Sequence, residues 1–369
     1  MTQVLDLSAY RLGTDEDARR LTRLPLNTTA IKTIRGTDLY QQAQAMQDAI
    51  VDMYVPADSL YVYVSDAESV NSMFSPQLIV RGVGYWLTNT AFSQLCEKSG
   101  MGVTSYMKKC LAQSYHIASL VSENLNRWLG LQGDKKILVR VCGDTVIAVL
   151  SDKYGVFDHG DALDCLNKAL GSSGQYQIEA HSLTVDTLSL RLVDTEKVVL
   201  HDASQGRDLS TAGMLYRNGQ TGLSVASVEF MIYTFACTNG LIVSEDRGVV
   251  YRRKHFSIDK EDFTRQIAAT IEQFPAYVAE ARKDMEQARL RRLQVDEQVR
   301  LRTQLKTSLG VGEETVSEIF DVMEERWDTN AWGIAGAITE VAQKFSVTRQ
   351  YQFEKYAGEL VRKLMLHAA

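Results

Sequence analysis

Proline is scarce in this chain: four residues among 369, none gathered into a linker. A Pro-rich tether between folded units is therefore excluded. Cysteine is sparse too. Cys96, Cys110, Cys142, Cys165 and Cys237 are widely spaced and include no Cys-x-x-Cys pair. That spacing argues against a zinc knuckle or a disulfide framework and predicts reduced thiols packed among apolar neighbours. No apolar run approaches the roughly 20 residues that cross a bilayer, and the N-terminus lacks the basic-then-apolar order of a secretion leader. A cytoplasmic protein without membrane contact is expected. Positive charge is not in surplus either: 40 Lys and Arg face 46 Asp and Glu, for a net charge of -6. A uniformly basic nucleic-acid coat is thereby excluded, and a phosphate-binding surface would have to be a local patch. Phosphate-binding Gly-x-x-x-x-Gly-Lys, dinucleotide Gly-x-Gly-x-x-Gly and zinc-protease His-Glu-x-x-His patterns are all missing, and the sequence implies no cofactor and no metal.

What is present is a change of hydrophobic period along the chain. Residues 1–30 read as a polar arm and 31–130 as a mainly helical N-terminal part, including a helix over "TDLYQQAQAMQDAIVDMY" and a helical hairpin around "AFSQLCEKSGMGVTSYMKK". Residues 131–256 alternate with period two. Gly143-Asp144 and Asn218-Gly219 are the turn signals there, and Asn239-Gly240 reads as a polar turn after an apolar strand. Residues 257–369 return to helical spacing, with one helix ending near Phe274-Pro275, a long polar helix after it and three more to follow. The expected fold is α+β, a twisted antiparallel sheet flanked by N-terminal and C-terminal helices, forming one integrated domain from about residue 31.

Two groups of residues compete as a chemical site. Cys237 would need a cationic neighbour to become a nucleophile, and a buried strand end suits it better as a packed thiol. Asp158, His159 and Asp161 lie close in sequence, but one local run rarely supplies the geometry of a metal or acid–base site. Basic residues form the other signal. Arg252, Arg253, Lys254 and His255 read as a strand edge, either charged to stay solvated or placed to hold phosphates. Residues 251–310 hold 13 Arg or Lys against 9 Asp or Glu, a local excess of four cations in an acidic chain. Lys135 and Lys136, or Arg289, Arg291 and Arg292, would extend such a track, and Tyr233 or Tyr251 could stack on a base. In the helical hairpin, Thr104, Ser105, Lys108 and Lys109 would have to face a groove for a helix-turn-helix reading, while ordinary packing explains the same pattern.

Several stretches in a fixed order carry a family likeness: "YWLTNTAFSQLCEKSGM", "LVRVCGDTVIAVLSDKYGVFDH", "YTFACTNGLIV", "RRKH", "NAWGIAGAITEVAQ" and "RQYQFEKYAGELV". Together they resemble the phage- and plasmid-related family of the domain of unknown function 932, over roughly residues 80 to 360. The family's Ser-Asp-x-Tyr step falls on Ser151, Asp152 and Tyr154, and its Cys-x-Asn step on Cys237 and Asn239. Its Arg-x-His step falls on Arg253 and His255, and its late Asn-x-Trp step on Asn330 and Trp332. The chain departs from the pattern at Cys142-Gly143-Asp144-Thr145, where relatives carry a longer polar hairpin. The resemblance implies a mobile-element setting and supplies no established catalytic residues. The leading expectation is a non-catalytic protein that binds single-stranded or partly opened nucleic acid, as an oligomer that promotes strand pairing or recombination. A structural or partner-binding module, and an enzyme using Cys237 or the Asp158/His159/Asp161 group, are the alternatives.

Overall fold

The structure is a computed structural model that describes residues 7, 10–12, 22–23, 34–70, 73–98, 102–171, 176–194, 210–234, 239–242, 251–253 and 258–366. Helix α1 (Asp38–Asp48) starts at Thr37, whose hydroxyl accepts from the Tyr40 amide. It stops where Ile50 and Val51 bring β-branched residues, so "AIVDMY" is not the continuation of a helix but strand β2 (Ile50–Pro56). Strands β3 (Tyr61–Val70), β4 (Met73–Val80) and β5 (Val83–Leu87) follow. Residues 31–130 thus hold four strands beside the expected helices, with α2 (Asn89–Lys98), α3 (Thr104–Leu111) and α4 (Tyr115–Gln132) completing the segment.

Strands β6 (Lys136–Cys142) and β7 (Thr145–Ser151) form the hairpin expected at Gly143-Asp144, with Gly143 at φ 60°. The first sheet has the order β2-β6-β7-β5-β4-β3, antiparallel except for the parallel pair β5–β7. Strands β2 and β3 are its two edges, yet only residues 57–60 separate them. Five interstrand spacings amount to roughly 24 Å, whereas the five residue steps from Pro56 to Tyr61 reach at most about 18 Å. The sheet is therefore curled. Asn126 of α4 closes the exposed edge of β3, accepting from the Val62 amide at 2.6 Å and donating to the Val62 carbonyl at 2.9 Å. Val55, Val62, Leu78, Leu87, Val139 and Val149 from the sheet pack with Phe92, Leu111 and Val121 of the helices.

After helix α5 (His159–Leu170) comes a second sheet, built from β8 (Tyr176–Leu183), β9 (Thr187–Asp194), β10 (Ser210–Gly219), β11 (Ala226–Thr234), β12 (Asn239–Ile242) and β13 (Tyr251–Arg253). A short strand β1 (Thr22–Arg23) pairs with β8, and Leu7 and Leu12 are buried, so the described parts of the arm belong to the folded body. The order is β1-β8-β9-β10-β11-β12, with β13 also on β11, and every pair is antiparallel. Two sheets thus stand where one was expected. Asn218 and Gly219 are the last residues of β10 rather than its turn, because the Asn218 amide is held inside, donating to the Phe157 carbonyl at 3.2 Å. Asn239 and Gly240 likewise pair with Thr234 and Tyr233 and already belong to β12.

The C-terminal helices are α6 (Lys260–Glu272), α7 (Phe274–Leu290), α8 (Val295–Leu309), α9 (Glu313–Arg326), α10 (Ala331–Ala342) and α11 (Val347–Leu366). Asp259 caps α6, and Pro275 sits in the first turn of α7, where its missing amide costs nothing. The long polar helix expected here is two helices. The Gln294–Glu297 capping box restarts the chain as α8, and the Leu293 amide is drawn to the Thr329 carbonyl at 3.2 Å. Phe230 of β11 stacks on Tyr277 at 4.3 Å, and Phe263 meets Phe157 edge-on at 4.8 Å, joining sheet and helices into one large core.

Candidate nucleic-acid interface

The two sheets meet at Arg140 of β6, a side chain with no solvent exposure. Its guanidinium donates to Asp52 at 2.7 Å, to Asp158 at 2.7 Å and to the Gln220 carbonyl at 2.6 Å. Burial alone would lower the Arg140 pKa, but the charges of Asp158 and Asp52 and their hydrogen bonds outweigh it and leave it raised. Asp158 itself is pushed up by burial, opposed by Arg140. Its carboxylate faces Arg140, so the first turn of α5 takes its acceptors elsewhere: the Asp161 amide donates to Gln47 Oε1 at 3.1 Å and the His159 amide to Gln220 Oε1 at 3.3 Å. His159 Nδ1 lies 3.1 Å from Asn218 Nδ2, and Asp161 pairs with Lys260 at 2.7 Å. Each member of the Asp158/His159/Asp161 group thus fastens one element to another. Among the described residues, no group of three His, Cys, Asp or Glu is arranged to hold a metal. Cys96, Cys110, Cys142 and Cys165 are buried thiols that form no disulfide among the described residues, and burial raises the Cys96 pKa to about 11. Cys237 lies outside the described residues.

The basic residues singled out from the sequence fall on three separate elements. Arg252 and Arg253 are in β13, in register with Ser227 and Ala226, while Lys254 and His255 lie outside the described residues. Lys136 begins β6 of the first sheet, opposite Pro56, and the Lys135 ammonium reaches Gln132 Oε1 at 3.4 Å. Arg289, Arg291 and Arg292 form the α7–α8 elbow. Arg291 is taken up by an ion pair with Glu297, and the carbonyls of Arg289 and Arg291 accept from Asn330 Nδ2 and the Ala331 amide at 3.0 and 2.9 Å. Asn330 also caps α10 through the Gly333 amide at 2.7 Å. Tyr233 and Tyr251 belong to β11 and β13. Lys108 of α3 bonds Asn89 of α2, tying the helical hairpin together.

A surface not foreseen from the sequence lies on the first sheet, on the face turned away from α2–α4. Across β3, β4 and β5, Tyr63, Gln77 and Trp86 stand in register, and beside them Tyr61, Ile79 and Gly84. Tyr61 is 54% exposed and Tyr63 45%, while Gln77, Ile79 and Trp86 are half-buried. Arg11 lies over the Trp86 ring at 5.0 Å and is held there by Asp144 at 2.6 Å. At the rim, Arg81 and Gly82 make the two-residue turn of the β4–β5 hairpin with φ of 52° and 81°. Two positive φ angles define a type I′ turn, which favours Asn or Gly at both positions. Among the described residues, Arg81 is the one non-glycine with positive φ, and it is exposed. The signal was present in "LYVYVS": tyrosines occupy the alternate positions where an outward strand face ordinarily carries polar side chains.

These features define an α+β protein with two sheets fixed together through a buried arginine, one of them presenting an aromatic face. The model of a family described as Domain of unknown function (DUF932) matches residues 146–364, and the chain belongs to that family. The match starts inside β7, so it takes in β8–β13 of the second sheet and the C-terminal helices up to Leu364, while β1–β6 lie outside it. No curated protein and no solved structure matches the chain.

Proposed function

We propose that this protein binds single-stranded or partly opened nucleic acid, without catalysing a reaction, on the aromatic face of its first sheet. The observation that carries this reading is the row formed by exposed Tyr61 and Tyr63 and half-buried Trp86, beside a cation held in the left-handed region at Arg81. Tyr61 and Tyr63 are two residues apart on one strand, roughly 7 Å, a spacing suited to successive unstacked bases. Trp86 with Arg11 upon it offers a guanidinium plane on which a base can stack. Base–aromatic stacking is worth about 1–3 kcal/mol per base and tolerates any sequence. Arg81 supplies a phosphate contact at the rim. The edge strand with Arg252 and Arg253, continuing in sequence to Lys254 and His255, supplies a second cationic segment. The mobile-element setting implied by the family likeness and the cytoplasmic setting read from the sequence, with strand pairing or recombination as the process served, are consistent with such an activity.

The test is a fluorescence-anisotropy titration against labelled single-stranded DNA, duplex DNA and RNA at two salt concentrations. Affinity for single strands should exceed that for duplex, and each of Tyr61→Ala and Tyr63→Ala should weaken it roughly 5- to 100-fold. Equal affinity of these variants and the unaltered protein would reject the aromatic face as the site.

A further inference from the structure

The α7–α8 elbow exposes apolar side chains that its own protomer does not cover. Leu290 is 83% exposed, Val295 78% and Val299 62%. Val295 and Val299 are one turn apart on α8, and Thr303 continues the exposed row. Another face of α8 packs within its own protomer: Leu301, Leu305 and Leu309 are buried, and Arg302 lies over Phe320 at 4.1 Å. The elbow is held in shape by the Arg291–Glu297 pair and the Gln294–Glu297 capping box. Beside the valines run Asp296 and Arg300, both about two-thirds exposed and 2.9 Å apart.

We infer that this face docks against the same face of a second copy of the chain, with the two α8 helices antiparallel about a two-fold axis near Glu297. In that arrangement Val295 of one copy packs on Val299 of the other, and the reverse contact follows from the symmetry. The flanking charges select this partner. In an antiparallel pair, like flanks face each other in opposite directions, so an acid followed one turn later by a base is complementary to itself. Asp296 then meets the other copy's arginine at position 300, twice per pair. A chemically unrelated partner would need the same order of charges beside a matching apolar row, whereas a second copy has both. The stripe is short, so association is weak and concentration-dependent.

Sedimentation equilibrium over a concentration series, without nucleic acid, tests this independently of the nucleic-acid reading. The unaltered protein should show a monomer–dimer equilibrium. Val295→Glu with Val299→Glu should be monomeric throughout, with an unchanged thermal midpoint because both positions are exposed. Asp296→Arg should weaken the dimer about fivefold at low salt by turning two attractions into repulsions. Combining Asp296→Arg with Arg300→Asp should restore it, since the reversed order is again self-complementary. A protein that stays monomeric at every concentration, a double glutamate variant that dimerises normally, or a reversal no tighter than the single change would each overturn the proposal.

Discussion

Arg81 shows at a single residue how stability and binding pull apart. A left-handed conformation costs an L-residue about 1–2 kcal/mol, and the turn it occupies would accept Asn with less strain. Arg81→Asn should therefore stabilise the fold by about 1 kcal/mol in urea unfolding while weakening single-strand binding. A variant that loses stability would mean that the arginine serves the turn itself. Asp158 offers a second test. Its folded pKa is raised, so its contribution to stability is fully present below the ordinary carboxylate pKa and is lost as pH rises through the folded value. The unfolding free energy of the unaltered protein minus that of Asp158→Asn should accordingly fall as pH rises over the range above the ordinary carboxylate pKa. A difference that grows over that range would show that Arg140 holds the carboxylate charged more strongly than burial opposes it.

At the scale of elements, helix α11 is tied to the second sheet by charge placed inside the protein. Arg191 of β9 pairs with Glu354 at 2.6 Å, both nearly fully buried. The Tyr351 hydroxyl lies 3.0 Å from each oxygen of Glu229, and Arg217 lies 3.9 Å over the Tyr351 ring. Arg191→Met should cost roughly 3–5 kcal/mol, because Glu354 is left buried without its cation, whereas Arg191→Met with Glu354→Met should recover most of that loss. A double-mutant cycle by urea unfolding measures the coupling. Much at this scale was legible in the sequence. Gly143-Asp144 marks its hairpin, Pro275 the start of α7, and the apolar stripes of α9, α10 and α11 their helices. Two of the misreadings share one cause, tertiary partners far away in sequence. Residues 291–294 break a continuous helical pattern because Thr329 and Ala331 bond to them, and Asn218 remains in its strand because Phe157 and His159 occupy its amide.

In the whole molecule, the division into two sheets was the feature least open to sequence reasoning. Alternation announces strands but not which of them pair, and the parallel contact of β5 with β7 bridges nearly sixty residues of chain. Arg140 gave no local sign of its role, because its partners Asp52, Asp158 and Gln220 come from three distant segments. The candidate site was half legible: basic residues stand out as letters, whereas an aromatic face exists only once β3, β4 and β5 are in register. The same geometry separates two contributions to binding. Neutralising Arg252, Arg253 and Lys254 together should reduce the slope of log affinity against log salt by up to about two units, and removing the aromatics should lower affinity with the slope unchanged.

The most direct measurement is therefore the salt-dependent titration of a single-stranded oligonucleotide with the unaltered protein and with a variant carrying Tyr61→Ala, Tyr63→Ala and Trp86→Ala. Tight, salt-sensitive binding by the former, and a loss of at least about tenfold with the salt slope preserved in a folded variant, is the predicted result. Binding by the variant as tight as that of the unaltered protein, or no binding by either at low salt, would contradict it.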